Sequence, residues 1–212
     1  MRALRLFVIG VLMVAAAESA NGASEQGTMG PMTTPQEKAT FAGGCFWCME
    51  PPFEKLEGVF SVTSGYTGGT QERPTYAEVS SGKTGHAEAI EVVYDPAKIT
   101  YEQLLDVFWM NIDPTTPNQQ FADKGRQYRT AIFYHTDEQR RLAEASKERL
   151  AHSGKFAQPI VTEIVPALAF YPAEDYHQDY YKKNPAHYTR YRIGSGREGY
   201  LQHTWGKGAK PP

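Results

Sequence analysis

Ala39-Thr40-Phe41-Ala42-Gly43-Gly44-Cys45-Phe46-Trp47-Cys48-Met49-Glu50-Pro51-Pro52 holds both cysteines of the 212-residue chain, three positions apart behind a diglycine. Ala39 to Ala42 predicts a short apolar strand and the glycines a tight turn. The prolines predict a helix, since they are tolerated only near its first turn. This order places Cys45 at a helix N-terminus. The partial positive charge and free N–H groups there favour thiolate over thiol, so the arrangement predicts a Cys45 pKa below the ordinary value of about 8.5. Residues three apart on a helix share a face, with Cβ atoms roughly 5–6 Å apart, within reach of a disulfide after small adjustment. Cys48 can then resolve whatever Cys45 becomes. A structural disulfide is the plainer reading of two cysteines, but so small a loop removes little entropy from the unfolded chain. Zinc takes paired Cys and His clusters, and the histidines show no such spacing, so neither a metal nor another cofactor is expected.

Outward from this stretch, Gly58 to Gly65 reads as a strand entering a Gly65-Tyr66-Thr67-Gly68-Gly69 turn, and Thr75 to Ser81 as a short helix or turn. Ala87 to Tyr94 alternates cleanly, with Glu88, Ile90, Val92 and Tyr94 on one face. A carboxylate on that apolar face is costly unless paired or protonated, and desolvation raises its pKa. The alternative is that Glu88 lies at the strand end in water. Thr100-Tyr101-Glu102-Gln103 is a capping box, and Tyr101, Leu104, Leu105, Phe108 and Trp109 follow at helical spacing as a core stripe. Asp113 to Gln127 is longer than most connections and therefore functional or mobile. Tyr128 to Tyr134 and Pro159 to Val165 read as strands, and Thr136 caps a helix running to about His152. Tyr171 to Tyr188 interleaves tyrosines with Glu174, Asp175, His177 and Asp179, which suits a solvated face and a site lining equally. From Arg190 onward, glycines and polar residues predict an irregular tail. Helices and strands alternate only partly, which predicts an α+β fold with helices packed against a mixed sheet.

Gly44-Cys45-Phe46-Trp47-Cys48-Met49-Glu50 followed by Gly65-Tyr66-Thr67-Gly68-Gly69 resembles the A-type peptide methionine sulfoxide reductases. The resemblance continues in family order through Pro74-Thr75-Tyr76, Gly85-His86-Ala87-Glu88-Ala89, Tyr94-Asp95-Pro96, Gln127-Tyr128-Arg129 and Lys183-Asn184-Pro185, covering residues 38–188. It implies a two-layer sandwich related to the ferredoxin-like plan, and an enzyme that repairs oxidative damage by reducing the S epimer of methionine sulfoxide, free or in proteins. Phe46 and Trp47 would line a pocket for the ε-methyl group. Glu88, with Tyr76 and Tyr128 beside it, would give protons and hydrogen bonds to the sulfoxide oxygen, and Asp123 matches a further polar position. Cys45 would become a sulfenic acid, which condenses with a thiol to a disulfide. Many relatives have glycine where Cys48 stands and resolving cysteines in the C-terminal tail, but Arg190 to Pro212 has none. The resolver is then Cys48, the preferred reading, or an external thiol. A thioredoxin-type protein would reduce the pair again.

The residues support the same chemistry without the resemblance. An activated sulfur beside two aromatic rings suits a substrate with an apolar part and an electrophilic atom, and a methyl sulfoxide has both. A thiol–disulfide oxidoreductase using Cys-Phe-Trp-Cys is the rival enzyme, although the motif lacks a thioredoxin-like βαβ context. A secreted binding domain with a small structural disulfide is the non-enzymatic alternative.

Lys plus Arg total 22 against 24 for Asp plus Glu, so nothing points to nucleic acid or an anionic membrane surface. The length suits one catalytic domain, taken as 38–200, and a monomer is expected. Arg2 and Arg5 precede the uncharged apolar run Leu6 to Ala17, too short to span a bilayer comfortably but suited to a signal peptide over 1–23. Export to the periplasm or medium follows, with no stable membrane association after cleavage. Residues 24–37 read as a flexible lead-in and 201–212 as an irregular tail.

Overall fold

The computed structural model describes residues 35–208; the expected signal peptide, most of the expected lead-in and residues 209–212 lie outside them. The elements are β1 (Glu37–Gly43), α1 (Phe46–Glu54), β2 (Val59–Thr67), α2 (Tyr76–Ser80), β3 (Ala87–Tyr94), α3 (Tyr101–Trp109), β4 (Gln119–Gln120), β5 (Asp123–Lys124), a 3-10 turn (Arg126–Tyr128), β6 (Thr130–Tyr134), α4 (Asp137–His152), β7 (Glu163–Pro166), β8 (Tyr171–Pro172), α5 (Tyr180–Lys183), α6 (Pro185–Gly194) and α7 (Arg197–Trp205).

The main sheet has the order β7-β6-β1-β3-β2-β8, antiparallel throughout except for the parallel pair β6 and β7. Strand β3 lies between β1 and β2 and is antiparallel to both, so β1, α1 and β2 form a split βαβ unit. Strand β1 likewise separates β3 from β6, completing the ferredoxin-like plan. Period-two alternation sends Ala39 and Phe41 of β1, Ile90, Val92 and Tyr94 of β3, and Ile132 of β6 to one face. There they meet Phe46, Met49, Phe53, Leu104, Leu105 and Phe108 from α1 and α3. The other face carries Ala42, Ala87, Ala89, Ala131 and Phe133, covered by Val165, Ala167 and Phe170. Glu88 belongs to the helix-covered face, as its alternation predicted.

Several boundaries differ from the sequence reading. Strand β2 runs on to Thr67, because Gly65 serves close approach: a Cβ there would lie 2.4 Å from the Phe170 ring. Strand β7 begins only at Glu163, and the Val161 N–H donates to the Pro114 carbonyl at 2.8 Å instead of joining the sheet. Pro51 and Pro52 lie in the second turn of α1 rather than the first, so the Trp47 and Cys48 carbonyls lose their usual donors. The expected irregular tail contains the end of α6 and all of α7. Glycines and polar residues hide these helices from periodicity, and long-range contacts hold them instead. Arg197 donates to the Gly43 carbonyl at 2.7 Å and the Asn111 carbonyl at 2.6 Å, and Leu201 is buried. A short helix is marginal without such packing.

Candidate active site

The diglycine is a packing requirement. A Cβ at Gly43 would meet Met49 Sδ at 2.5 Å, and Gly44 has φ +79° with Gln120 Cβ 2.4 Å from where its own Cβ would lie. The turn delivers Cys45 to the N-cap of α1, where its side chain makes no capping bond. The first amide of the helix, Phe46 N–H, instead donates to Glu88 Oε2 at 3.1 Å. The helix end is thus aimed at the carboxyl of β3 and not at the sulfur.

This geometry corrects the expected thiolate at Cys45. Burial, the S–H it donates to Cys48 and the Glu88 charge push the Cys45 thiol well up. A helix terminus contributes up to about 2 kcal/mol in favourable sites, whereas full burial shifts a group by up to about 3–5 pKa units, or roughly 4–7 kcal/mol. Desolvation therefore wins. Cys48 is drawn below the ordinary thiol range by the hydrogen bond from Cys45, with Arg197 and Arg192 adding to it. The resting pair has Cys45 as the S–H donor and Cys48 as its acceptor.

One cavity of about 90 Å³ is lined by Cys45, Phe46, Trp47, Tyr76, Glu88, Asp123, Tyr128 and Tyr191. The predicted pocket residues arrive from five places: α1, the start of α2, β3, the β4–β5 hairpin and the 3-10 turn. The long Asp113–Gln127 connection is thereby the functional segment that carries Asp123. Cys48 is fully buried one turn along α1, behind the lining.

Glu88 is 2% exposed, so the water-exposed alternative falls. Burial raises its pKa to about 8 against the Phe46 N–H bond, with the Asp123 and Cys48 charges reinforcing the rise. At neutral pH the carboxyl holds its proton and can donate it. Burial also pushes the Tyr76 phenol up to about 12 and Tyr128 higher still, so both remain O–H donors. Asp123 is raised by burial, and the Tyr191 hydroxyl donates to its Oδ2.

The aromatic wall is held from behind by the tyrosine-rich segment. Trp47 Nε1–H donates to His177 Nδ1 at 3.0 Å, and the indole stacks on Tyr180 at 3.8 Å between centroids and 7° between planes. Glu174 accepts from the Tyr66 hydroxyl at 2.8 Å and from the Tyr76 N–H at 2.9 Å. Tyr171 to Tyr188 thus supports the wall without lining the cavity, an arrangement between the site-lining and solvated-face readings. Tyr191 escaped sequence reasoning because it stands in the stretch read as irregular; only α6 brings it to the cavity.

A buried sulfur pair, a protonated carboxyl and two phenols around a small aromatic cavity define a thiol-dependent reductase. Its substrate must offer a compact apolar group beside an oxygen that accepts protons. The chain belongs to the peptide methionine sulfoxide reductase family, whose model matches residues 37–209. It is 58% identical over 176 residues to peptide methionine sulfoxide reductase MsrA of Bacillus licheniformis, covering 83% of this chain and 97% of that one. The Bacillus subtilis protein of the same name is 59% identical over 175 residues, covering 82% and 99%. Among solved structures, reduced Mxr1 of Saccharomyces cerevisiae matches with TM-score 0.66 and 37% identity, over 71% of this chain and 87% of that one. Methionine sulfoxide reductase A of Corynebacterium diphtheriae matches with TM-score 0.65 and 35% identity, over 73% and 77%.

Proposed function

We propose that the cavity takes the methyl sulfoxide end of an oxidised methionine side chain, free or in a protein, and reduces the S epimer to methionine. The observation that carries this reading is Glu88, buried and protonated in one aromatic cavity with Cys45, Tyr76 and Tyr128. Phe46 and Trp47 pack on the methyl group, and the phenols hydrogen-bond the oxygen. Cys45 sulfur attacks the sulfoxide sulfur while its proton passes to Cys48 and the Glu88 proton passes to oxygen. Oxygen ends on Cys45 as sulfenic acid, methionine leaves, and Glu88 is left ionised. Cys48 then attacks the sulfenic sulfur, closing a Cys45–Cys48 disulfide and releasing water. A thioredoxin-type donor reopens it by thiol exchange.

Racemic free methionine sulfoxide with dithiothreitol as reductant tests the reading. Consumption should stop at half of the substrate, leaving the R epimer. Absence of turnover, or equal loss of both epimers, refutes it. The basic, apolar N-terminal run supports export of the enzyme. Intact mass from an exporting host should show loss of a segment ending between about Ala17 and Ala23. Full-length chain found only in the cytosol would refute export.

A further inference from the structure

Arg197 is the largest fully buried side chain among the described residues, at 1% exposure, yet it forms no ion pair with a carboxylate there. Its hydrogen bonds go to neutral acceptors: Gly43 O at 2.7 Å, Asn111 O at 2.6 Å and Met49 Sδ at 3.6 Å. The Phe121 ring lies 4.6 Å from its Cζ. A buried cation without an anion is among the costliest groups a fold can hold, so an anion is expected to face it for part of the working cycle. Two candidates are near. Asp123 feels the arginine's charge but is already engaged by the Tyr191 hydroxyl, and burial keeps it raised. The other is the thiol pair, bracketed by the atoms that Arg197 grips: Gly43 precedes Cys45 by two residues, and Met49 follows Cys48 directly.

We propose that Arg197 is the fixed counter-ion of the Cys48 thiolate and a positioning residue for the turn that carries Cys45, a role that rests on Cys48 being the resolving thiol. The groups facing Cys48 agree with this. Cys45 reaches it from the N-cap of α1, Arg197 from α7, Arg192 and Tyr188 from α6, Asp123 from the β4–β5 hairpin and Glu88 from β3. Of the two cations, Arg192 is paired with Glu198 at 2.7 Å, which leaves Arg197 as the one not neutralised. In the resolving step the Cys48 thiolate attacks the sulfenic sulfur of Cys45. Glu88, left ionised by the reduction step, first takes the proton that Cys48 received from Cys45; the S–S bond then forms, the S–O bond breaks, and the departing hydroxide takes that proton from Glu88 and leaves as water.

Cys45→Ser isolates Cys48 for titration by ultraviolet thiolate absorbance, and the serine hydroxyl still offers it a hydrogen bond. With Arg197 intact, Cys48 should titrate below the ordinary thiol value of about 8.5. A midpoint at or above that value overturns the proposal, whether or not any arginine variant folds. Arg197→Gln keeps amide donors for the two carbonyls but removes the charge, and should raise the midpoint by about one unit or more. An unmoved midpoint in the folded variant also overturns it.

In the two-cysteine protein, disulfide formation after a single turnover carries an independent signature. One unit of added basicity costs up to tenfold in thiolate fraction but returns about threefold in nucleophilicity. Arg197→Gln should therefore close the disulfide about threefold more slowly near pH 6 and about threefold faster near pH 9. An equal loss at every pH identifies a merely structural arginine and refutes the counter-ion role. If Cys48→Ser leaves donor-driven turnover unchanged, Cys48 is not the resolver, a failure separable from these because the Cys48 titration does not depend on it.

Discussion

Glu88→Gln should weaken the enzyme and stabilise the protein at once. The side chain keeps its length and one oxygen for the Phe46 N–H, which it accepts at 3.1 Å, but loses its transferable proton. Such a loss is typically worth about 10²–10⁴ in rate. The stability effect follows from burial, which raises the carboxyl from an ordinary 4.5 to about 8 in the folded state. A carboxyl with a raised folded pKa leaves stability undisturbed below the unfolded pKa. Stability is then lost as pH rises from there towards the folded value, because the unfolded chain ionises and the folded one resists. Between pH 4.5 and 7 the loss amounts to about 3 kcal/mol, at about 1.4 kcal/mol per pH unit. Glutamine does not titrate, so the variant escapes this loss. An unpaired amide N–H in its place costs about 1–3 kcal/mol at every pH. Urea unfolding of both proteins at the two pH values isolates the titrating part, since the constant cost cancels in the double difference. The stability of the variant relative to the parent should rise by about 3 kcal/mol between pH 4.5 and 7. A double difference near zero, or unchanged sulfoxide reduction at neutral pH, refutes the buried acid.

The same carboxyl predicts that single-turnover methionine release falls above about pH 8 as Glu88 ionises, and that Glu88→Gln lacks this limb; a shared limb in stopped-flow or quench data assigns it elsewhere. Cys45→Ser should abolish methionine release, while Cys48→Ser should release about one methionine per enzyme and leave a sulfenic acid trapped by a dione reagent. Normal turnover of Cys48→Ser with a protein donor would refute internal resolution. Gly44→Ala forces a Cβ into a backbone at φ +79° and to 2.4 Å from Gln120 Cβ. It should cost about 2–4 kcal/mol by urea midpoint, and a loss under about 0.5 kcal/mol would mean that the turn relaxes freely.

Local interactions explain what could be read along the chain. The alternation of Ala87 to Tyr94 set a strand with Glu88 on its covered face. Thr100 and Thr136 each accept an N–H from three residues on, so the starts of α3 and α4 were visible as short motifs. The glycines before Cys45 similarly announced a turn into a helix. What the tertiary structure decided depends on groups distant in sequence. The helix end faces Glu88 across 42 residues, and burial of the thiol pair reverses the direction in which an isolated helix N-terminus would move Cys45. His177 reaches Trp47 across 130 residues. Tyr191 closes the cavity from α6, and Arg197 grips Gly43 across 154 residues from α7, two helices whose composition carries no apolar period. Hydrogen-bonded caps and strand alternation act over a few residues and so appear in order along the chain. Desolvation and long-range hydrogen bonds exist only once the sheet and its helices enclose a volume, and they set the protonation of the site.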